Sequence, residues 1–378
     1  MPTRQIVIDD AVPYAADMFG HLGEITLLPG KKITPSDVQN ADALIVRSRT
    51  QVNQNLLTNS RVQFVGSTVV GLDHIDQTYL QKNDIHFYSA QGCNANSVAE
   101  YVIHVLFDLA ERHGFDLQHK TLGIIGVGNV GGRLYQKAQN LGIKCLLNDP
   151  PRERDPKDNE LNFVDLDQCL TADIITVHTP LYMSGVDCTY NLINAEHISR
   201  LSPEQILINA ARGGIINEAA WAAQPLQAIV VDCWENEPNI DETLYRSADL
   251  ATPHIAGHSL EAKIAGGEMV YRQLCRHWQI EPQNNWQTLL PPDPQPIEID
   301  SRTESSQTKL HRLFKEVYNP YNDDSAIRDK QIQKVHLAFE DYRRTYPLRR
   351  EWHRHRVQNI KTPHLAKLLK SLKFIIDG

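Results

Sequence analysis

The stretch KTLGIIGVGNVGGRLYQKAQNLGIKCLLNDPP, residues 120–151, decides the fold. TLGIIG is an apolar run of strand length and GVGNVGG a glycine-rich turn. RLYQKAQNLG has helical patterning, and IKCLLND is a second strand. Gly126, Gly128 and Gly131 stand in the spacing GxGxxG, after a strand and at the opening of a helix. In that setting the first glycine permits a tight turn and the second lets the backbone approach a pyrophosphate. The third lets helix and strand pack closely. The free N–H groups at the helix start suit the phosphates. Asp149 closes the next strand, 18 residues after Gly131. An acid there can bind ribose hydroxyls and repels a 2′-phosphate, so the pair of features points to NAD rather than NADP. Alone, the glycines read equally well as a turn, and Asp149 as a turn residue before Pro150-Pro151.

Strand–helix alternation extends both ways from this unit. Upstream, RQIVIDD, ADALIVRS, VQFVGSTVV and DIHFYSA read as strands with helical segments between them. NSVAEYVIHVLFDLAERHG, from Asn96, reads as a long amphipathic helix capped by Asn96 or Ser97. Downstream, DIITVHTPL, QILINAARG and QAIVVDCWE read as strands, followed by one more short strand and the loop LATPHIAG. SLEAKIAGGEMVYRQLCRHW is another long helix. The pattern is α/β, with doubly wound parallel sheets. Four prolines between Pro291 and Pro296 mark an extended linker, and a small, mostly helical region follows.

Three islands carry chemistry: NAARGG from Asn209, Glu237-Pro238, and TPHIAG from Thr252. Each follows a strand, and the carboxyl ends of strands are where such sheets bind ligands. Taken singly, Arg212 reads as a surface arginine, Glu237 as a solvated loop acid and His254 as a packed loop histidine. Together they form a set that acts on a 2-hydroxy acid. Arg212 grips the carboxylate. His254 takes the hydroxyl proton as a hydride leaves the neighbouring carbon, and Glu237 orients the imidazole.

The net charge is −8 over 378 residues, unevenly spread. Residues 301–378 hold 17 Lys/Arg against 9 Asp/Glu. A nucleic-acid arm is one reading of such a block. The favoured reading is a docked domain with a basic face, because the charges are interleaved with Leu, Phe, Ile and Tyr at helical spacing; no nucleic-acid partner is expected. No run of 18 apolar residues occurs, so no membrane partner is expected either. The N-terminus lacks the apolar core of a secretory signal. Six cysteines without a CxxC pair read as reduced cytoplasmic thiols, with no metal site.

These motifs resemble the D-isomer-specific 2-hydroxyacid dehydrogenases over about residues 1–280. The resemblance implies two Rossmann-like domains. Residues 1–95 would form a substrate-binding domain completed by a helix at 259–283, and residues 96–258 the NAD-binding domain. It implies that Asn129, Val130, Asp149, Thr179, Ala210, Ala211, Arg212, Asp232 and Gly257 contact NAD together with the glycine turn. RSRT around Ser48, FVGSTVVGLDHID from Phe64, GCNANSVAEYV from Gly92, HIAGHSLEAK from His254 and YPLRREW from Tyr346 resemble one branch of that family in particular. That branch implies a small phosphorylated 2-hydroxy acid as substrate, contacted by Ser48, Ser67, Val69 and His258. Arg47 would be either a phosphate partner or a core-edge ion pair. It also implies a small C-terminal α+β domain over 288–378 that makes a homodimer. The alternative is another D-2-hydroxyacid dehydrogenase, of the glycerate, phosphoglycerate or lactate type. Val69 and His258 depart from the family pattern, which favours threonine and tyrosine there.

Overall fold

The computed structural model describes residues 3–158, 160–299, 305–328 and 331–377. The ends of the ranges expected for the first and C-terminal domains, together with 159, 300–304 and 329–330, lie outside the described residues. The chain divides into two compact units, Met1–Asn94 with Ser259–Pro292, and Ala95–His258 with Asp293–Gly378.

The first unit is built on a parallel five-stranded sheet. Its strands are β1 (Gln5–Asp9), β2 (Glu24–Leu28), β3 (Ala43–Val46), β4 (Phe64–Ser67) and β5 (His86–Ser89), in the order β2-β1-β3-β4-β5. Four of these are the apolar runs read from the sequence. β2 is a correction, because the segments between those runs were read as helical. Its residues are mostly exposed or half-buried, as befits an edge strand, so it lacks the apolar signature of its neighbours. The helix Leu260–Trp278 packs Ile264, Val270, Tyr271 and Leu274 into the same core as Ile6, Ile8 and Phe64. Helix and strand approach so closely that a Cβ on Gly66 would lie 2.3 Å from Val270 Cγ1.

The second unit carries a six-stranded parallel sheet of β6 (Thr121–Ile125), β7 (Lys144–Asn148), β8 (Ile174–Val177), β9 (Ile206–Asn209), β10 (Ala228–Val231) and β11 (Leu250–Ala251). Its order, β11-β10-β9-β8-β6-β7, reverses direction at β6, and the glycine-rich turn leaves that strand. That reversal is the place where a doubly wound sheet opens a crevice for a ligand.

The C-terminal region adds helices Ser306–Val317, Pro320–Ile327, Ile332–Arg344 and Pro363–Ser371, and a small parallel sheet of β12 (Ile297–Glu298), β13 (Arg356–Gln358) and β14 (Ile375–Ile376). It shares a core with the rest of the second unit. Leu310, Phe314, Trp352, Leu369 and Phe374 pack with Tyr101, Val105 and Leu109 of the helix Ala95–His113 and with Ile124 of β6. Phe314 and Trp352 stack with centroids 4.7 Å apart. Each such side chain contributes roughly 1.5–3 kcal/mol of burial, so this core binds the region to the sheet.

That packing alters two readings made from sequence. The helix begins at Ala95, ahead of Asn96 and Ser97. These two side chains do not cap it; they donate to the carboxylate of Glu351, at 2.5 and 3.1 Å. The basic character of the region is also partly turned inward: Arg349 and Arg350 are buried, and Arg350 and Arg354 both reach Asp293.

Candidate active site

The glycine turn after β6 has the shape of a phosphate cradle. Gly126 has φ +85°, and a Cβ there would fall 2.7 Å from the Thr179 nitrogen. Gly131 lets the helix Asn129–Asn140 sit on the strand, since a Cβ there would lie 2.0 Å from the Gly126 oxygen. Gly128 faces open space instead, with nothing within 4 Å of a Cβ. The helix has no side-chain cap at Gly128, so Asn129 and Val130 open a helix whose first N–H groups are available to an anion.

Asp149 lies at the end of β7, and both its oxygens are engaged. Oδ2 accepts from the Val127 N–H at 2.7 Å and Oδ1 from the Arg152 N–H at 3.1 Å. Each oxygen keeps a further lone pair for a hydroxyl donor. Across the turn, Thr179 Oγ1 is buried with no hydrogen-bond partner among the described residues. A buried hydroxyl in that state is costly unless a ligand supplies the partner. The open face at Gly128, the uncapped helix, the Asp149 carboxylate and the orphaned Thr179 hydroxyl together fit a dinucleotide.

Arg212 leaves β9 on a turn built by Asn209. The Asn209 side chain accepts from the Ala211 N–H at 3.1 Å and donates to the Arg212 carbonyl at 2.8 Å. Ala210 and Ala211 are buried in the same turn. Gly213 is forced by close approach, because a Cβ there would lie 2.0 Å from the Trp234 backbone. The Arg212 guanidinium donates to the Ala211 carbonyl at 2.7 Å and pairs with no carboxylate among the described residues. It retains donors for an anionic ligand.

His254 Nδ1 lies 2.8 Å from Glu237 Oε2 and 3.0 Å from Oε1. Burial pushes the Glu237 carboxyl up, but His254, Arg343 and the Trp234 N–H outweigh it and hold the group below the ordinary carboxylate range. His254 has φ +52°, in the left-handed region, and its N–H donates to the Asp232 carbonyl at 2.8 Å. The Asp232 side chain completes the frame of that loop. Its carboxylate accepts from Thr252 Oγ1 at 2.7 Å, the Ile255 N–H at 2.8 Å and the Ala256 N–H at 3.1 Å. Asp232, expected at NAD, is thus observed holding the loop that carries His254. Gly257 and His258 follow in the same loop, and the His258 ring meets Tyr346 edge-on at 5.4 Å. Cys233, Glu237 and His254 bring three potential metal-ligand atoms within 4.8 Å of one another. The Cys233 thiol is fully buried and pushed well up by that burial, and Glu237 is committed to His254.

Of the residues expected at the substrate, Arg47, Ser48, Ser67 and Val69 belong to the first unit and His258 to the second. Arg47 donates to the Ala11 carbonyl at 3.1 Å and its charge acts on buried Asp9, so it is at least a core-edge group. Ser48 is exposed. Ser67 is fully buried and its hydroxyl points to the Val69 carbonyl at 3.4 Å, which leaves the half-buried Val69 backbone nearer the surface. Sequence reasoning missed a further group: Arg343, whose Nη1 lies 3.7 Å from Glu237 Oε2.

Comparison with known proteins gives two family matches, which lie almost wholly in the second unit. Residues 98–256 match the family "D-isomer specific 2-hydroxyacid dehydrogenase, NAD binding domain". Residues 289–372 match a domain of unknown function, DUF3410. The chain is 56% identical to the erythronate-4-phosphate dehydrogenase of Hydrogenovibrio crunogenus, over 99% of both chains. It is 41% identical to that of Proteus mirabilis over 98% of both. Among solved structures it is similar in fold to 3-phosphoglycerate dehydrogenase of Entamoeba histolytica, with TM-score 0.62 and 23% identity over 73% of this chain and 96% of the other. The NAD-dependent formate dehydrogenase of Staphylococcus aureus gives TM-score 0.60 and 22% identity, over 75% and 98%.

Proposed function

This chain belongs to the erythronate-4-phosphate dehydrogenase family, and on that premise we propose that it oxidises 4-phospho-D-erythronate at C2 to 2-oxo-3-hydroxy-4-phosphobutanoate. NAD, held by the turn from Gly126 to Gly131 with Asn129, Val130, Asp149 and Thr179, supplies the hydride acceptor. The product lies on a route to pyridoxal phosphate.

The observation that carries this reading is the 2.8 Å contact of His254 with Glu237. With Nδ1–H donating to the Glu237 carboxylate, Nε2 is left with a lone pair. That atom takes the C2 hydroxyl proton as the hydride leaves C2. The imidazolium so formed is stabilised by the carboxylate already beside it. Arg212 grips the substrate carboxylate. Arg47, Ser48, the backbone at Val69, and His258 are the groups assigned to the rest of the substrate and its phosphate. The test is NADH formation on adding 4-phospho-D-erythronate, and its loss in His254→Ala. An unchanged rate in that variant would remove His254 from the chemistry.

The six cysteines are all free, which supports a reducing cytoplasm. No helix among the described residues is long and apolar enough to cross a membrane. A homodimer through the C-terminal region, as the resemblance implies, is proposed to use Leu337 and Leu348, large apolar side chains 71% and 65% exposed there. Leu337→Glu with Leu348→Glu should give a monomer by sedimentation; a double variant that sediments as the wild type does would place the contact elsewhere.

A further inference from the structure

The region that matches a domain family of unknown function reaches the proposed acid–base pair. Arg343 stands in the last turn of the helix Ile332–Arg344, with its guanidinium 5.8 Å from the Phe339 ring centroid one turn back. Its Nη1 lies 3.7 Å from Glu237 Oε2, the same oxygen that His254 Nδ1 approaches at 2.8 Å. Both charged side chains are mostly buried, 18% and 19% exposed, so solvent screens the pair weakly.

A second arginine of the region secures the loop itself. Arg349, buried, donates to the carbonyls of Ile255 and Ala256, and to that of Ser97 at 3.3 Å. Those two loop carbonyls directly follow His254 in the chain. Tyr346, between the two arginines in sequence, meets His258 at the loop's far end.

We propose that Arg343 is a positioning residue of the active site, holding the Glu237 carboxylate ionised and in place so that Glu237 can orient His254, while Arg349 fixes the loop from which His254 projects. This rests on the proposed acid–base role of the pair. The charged and titratable groups facing Glu237 are His254, Arg343, the buried Cys233 thiol and the buried carboxyl of Glu218; the Arg212 charge acts on Cys233. Of these, His254 and Arg343 draw the Glu237 carboxyl down. Removing Arg343 leaves the ionised carboxylate with less compensation, so it protonates at higher pH.

The test is the pH dependence of kcat and KM in the full-length Arg343→Met and Arg343→Lys proteins, with the Glu237 carboxyl titration followed by carbon NMR. Arg343→Met should lower kcat on the order of tenfold near neutral pH with KM little changed, and move the acid limb up by about one pH unit. Arg343→Lys should restore most of the rate. A Glu237 titration and a kcat profile that both superimpose on wild type would overturn the proposal. So would a fall in kcat that lysine does not rescue and that leaves the acid limb in place, which would mean packing alone. A raised KM with unchanged kcat would also overturn it, in favour of a direct contact with the substrate anion. Wild type inactive on 4-phospho-D-erythronate would remove the proposed function, and the NMR titration, which needs no turnover, would still decide the role of Arg343.

Discussion

His254 Nδ1 and Glu237 Oε2 lie 2.8 Å apart, and the contact fixes which imidazole nitrogen is left for chemistry. With Nδ1 occupied by the carboxylate, proton transfer falls to Nε2. Glu237→Gln keeps the shape but cannot stabilise the imidazolium. It should lower kcat by about 10²-fold, and His254→Ala by about 10²–10⁴-fold, with smaller changes in KM. Steady-state kinetics check both. A Glu237→Gln enzyme with wild-type kcat would contradict the assignment.

The same carboxylate makes a stability prediction. Its folded-state pKa lies below its ordinary value of 4.5. Its contribution to stability is therefore complete above that value and is lost as the pH falls through the folded pKa. Thermal melts of wild type should lose stability on that acid limb, and Glu237→Gln should flatten it. Parallel melting curves for the two proteins from neutral pH down to about pH 3 would contradict the sign worked out here.

Gly128 and Gly131 should separate by mechanism. A methyl on Gly131 has no room, at 2.0 Å from a backbone oxygen, whereas one on Gly128 enters open space. Gly131→Ala should cost stability, on the order of 2 kcal/mol or more. Gly128→Ala should melt as wild type does and bind NAD more weakly. Calorimetric melting and NAD titration read the two effects independently. Weakened melting of Gly128→Ala would mean that the turn is not the open cradle described.

Arg212→Lys should show what a two-pronged grip contributes. Lysine keeps the charge and loses the planar fork. kcat/KM for the carboxylate substrate should fall on the order of 10²-fold, by about 2–3 kcal/mol, while NAD affinity stays close to wild type. An Arg212→Lys enzyme with unchanged kcat/KM would take the carboxylate contact away from this residue.

Lys137 and Glu100 form a buried pair, with nitrogen and oxygen 3.6 Å apart and both side chains under a tenth exposed. Lys137 also lies 4.5 Å from the ring centroid of Trp352, in the core shared with the C-terminal region. Lys137→Met leaves Glu100 with Asn96 and the Trp352 N–H but without its cation. Burial pushes the Glu100 carboxyl up to about 8 even beside Lys137, so without the lysine it takes a proton near neutral pH, and the loss should be about 1–3 kcal/mol, read by denaturant unfolding. A neutral effect would show that the pair is not structural.

The nucleotide-binding half was legible because its signals are local. Gly126, Gly128 and Gly131 have fixed spacing, and the strands carrying Asn209 and Val231 are unbroken apolar runs buried on both faces. Arg212, Glu237 and His254 could be picked out because each lies within a few residues of the carboxyl end of a strand. β2 was not, since an edge strand of half-exposed residues carries no apolar signature. Nor was the buried state of Ser67, whose hydroxyl turns to a carbonyl two residues on. The bracing of the loop after β11 by the Asp232 carboxylate, a role additional to the cofactor contact expected by resemblance, was not legible either. Arg343 was out of reach for a different reason. It lies about a hundred residues from Glu237 in a region with no known chemistry, and only tertiary packing brings the two together.

Removing the C-terminal region would be a poor probe of any of this, because it would strip Phe314, Trp352 and Phe374 from a core that also holds Tyr101 and Ile124. The direct measurement is kcat/KM for NAD-dependent oxidation by the intact protein of 4-phospho-D-erythronate, set beside erythronate, D-glycerate, 3-phosphoglycerate and D-lactate. The account predicts that 4-phospho-D-erythronate leads every other acid by about 10²-fold or more, close to 3 kcal/mol of transition-state discrimination. An equal or greater kcat/KM for any of the others would contradict it.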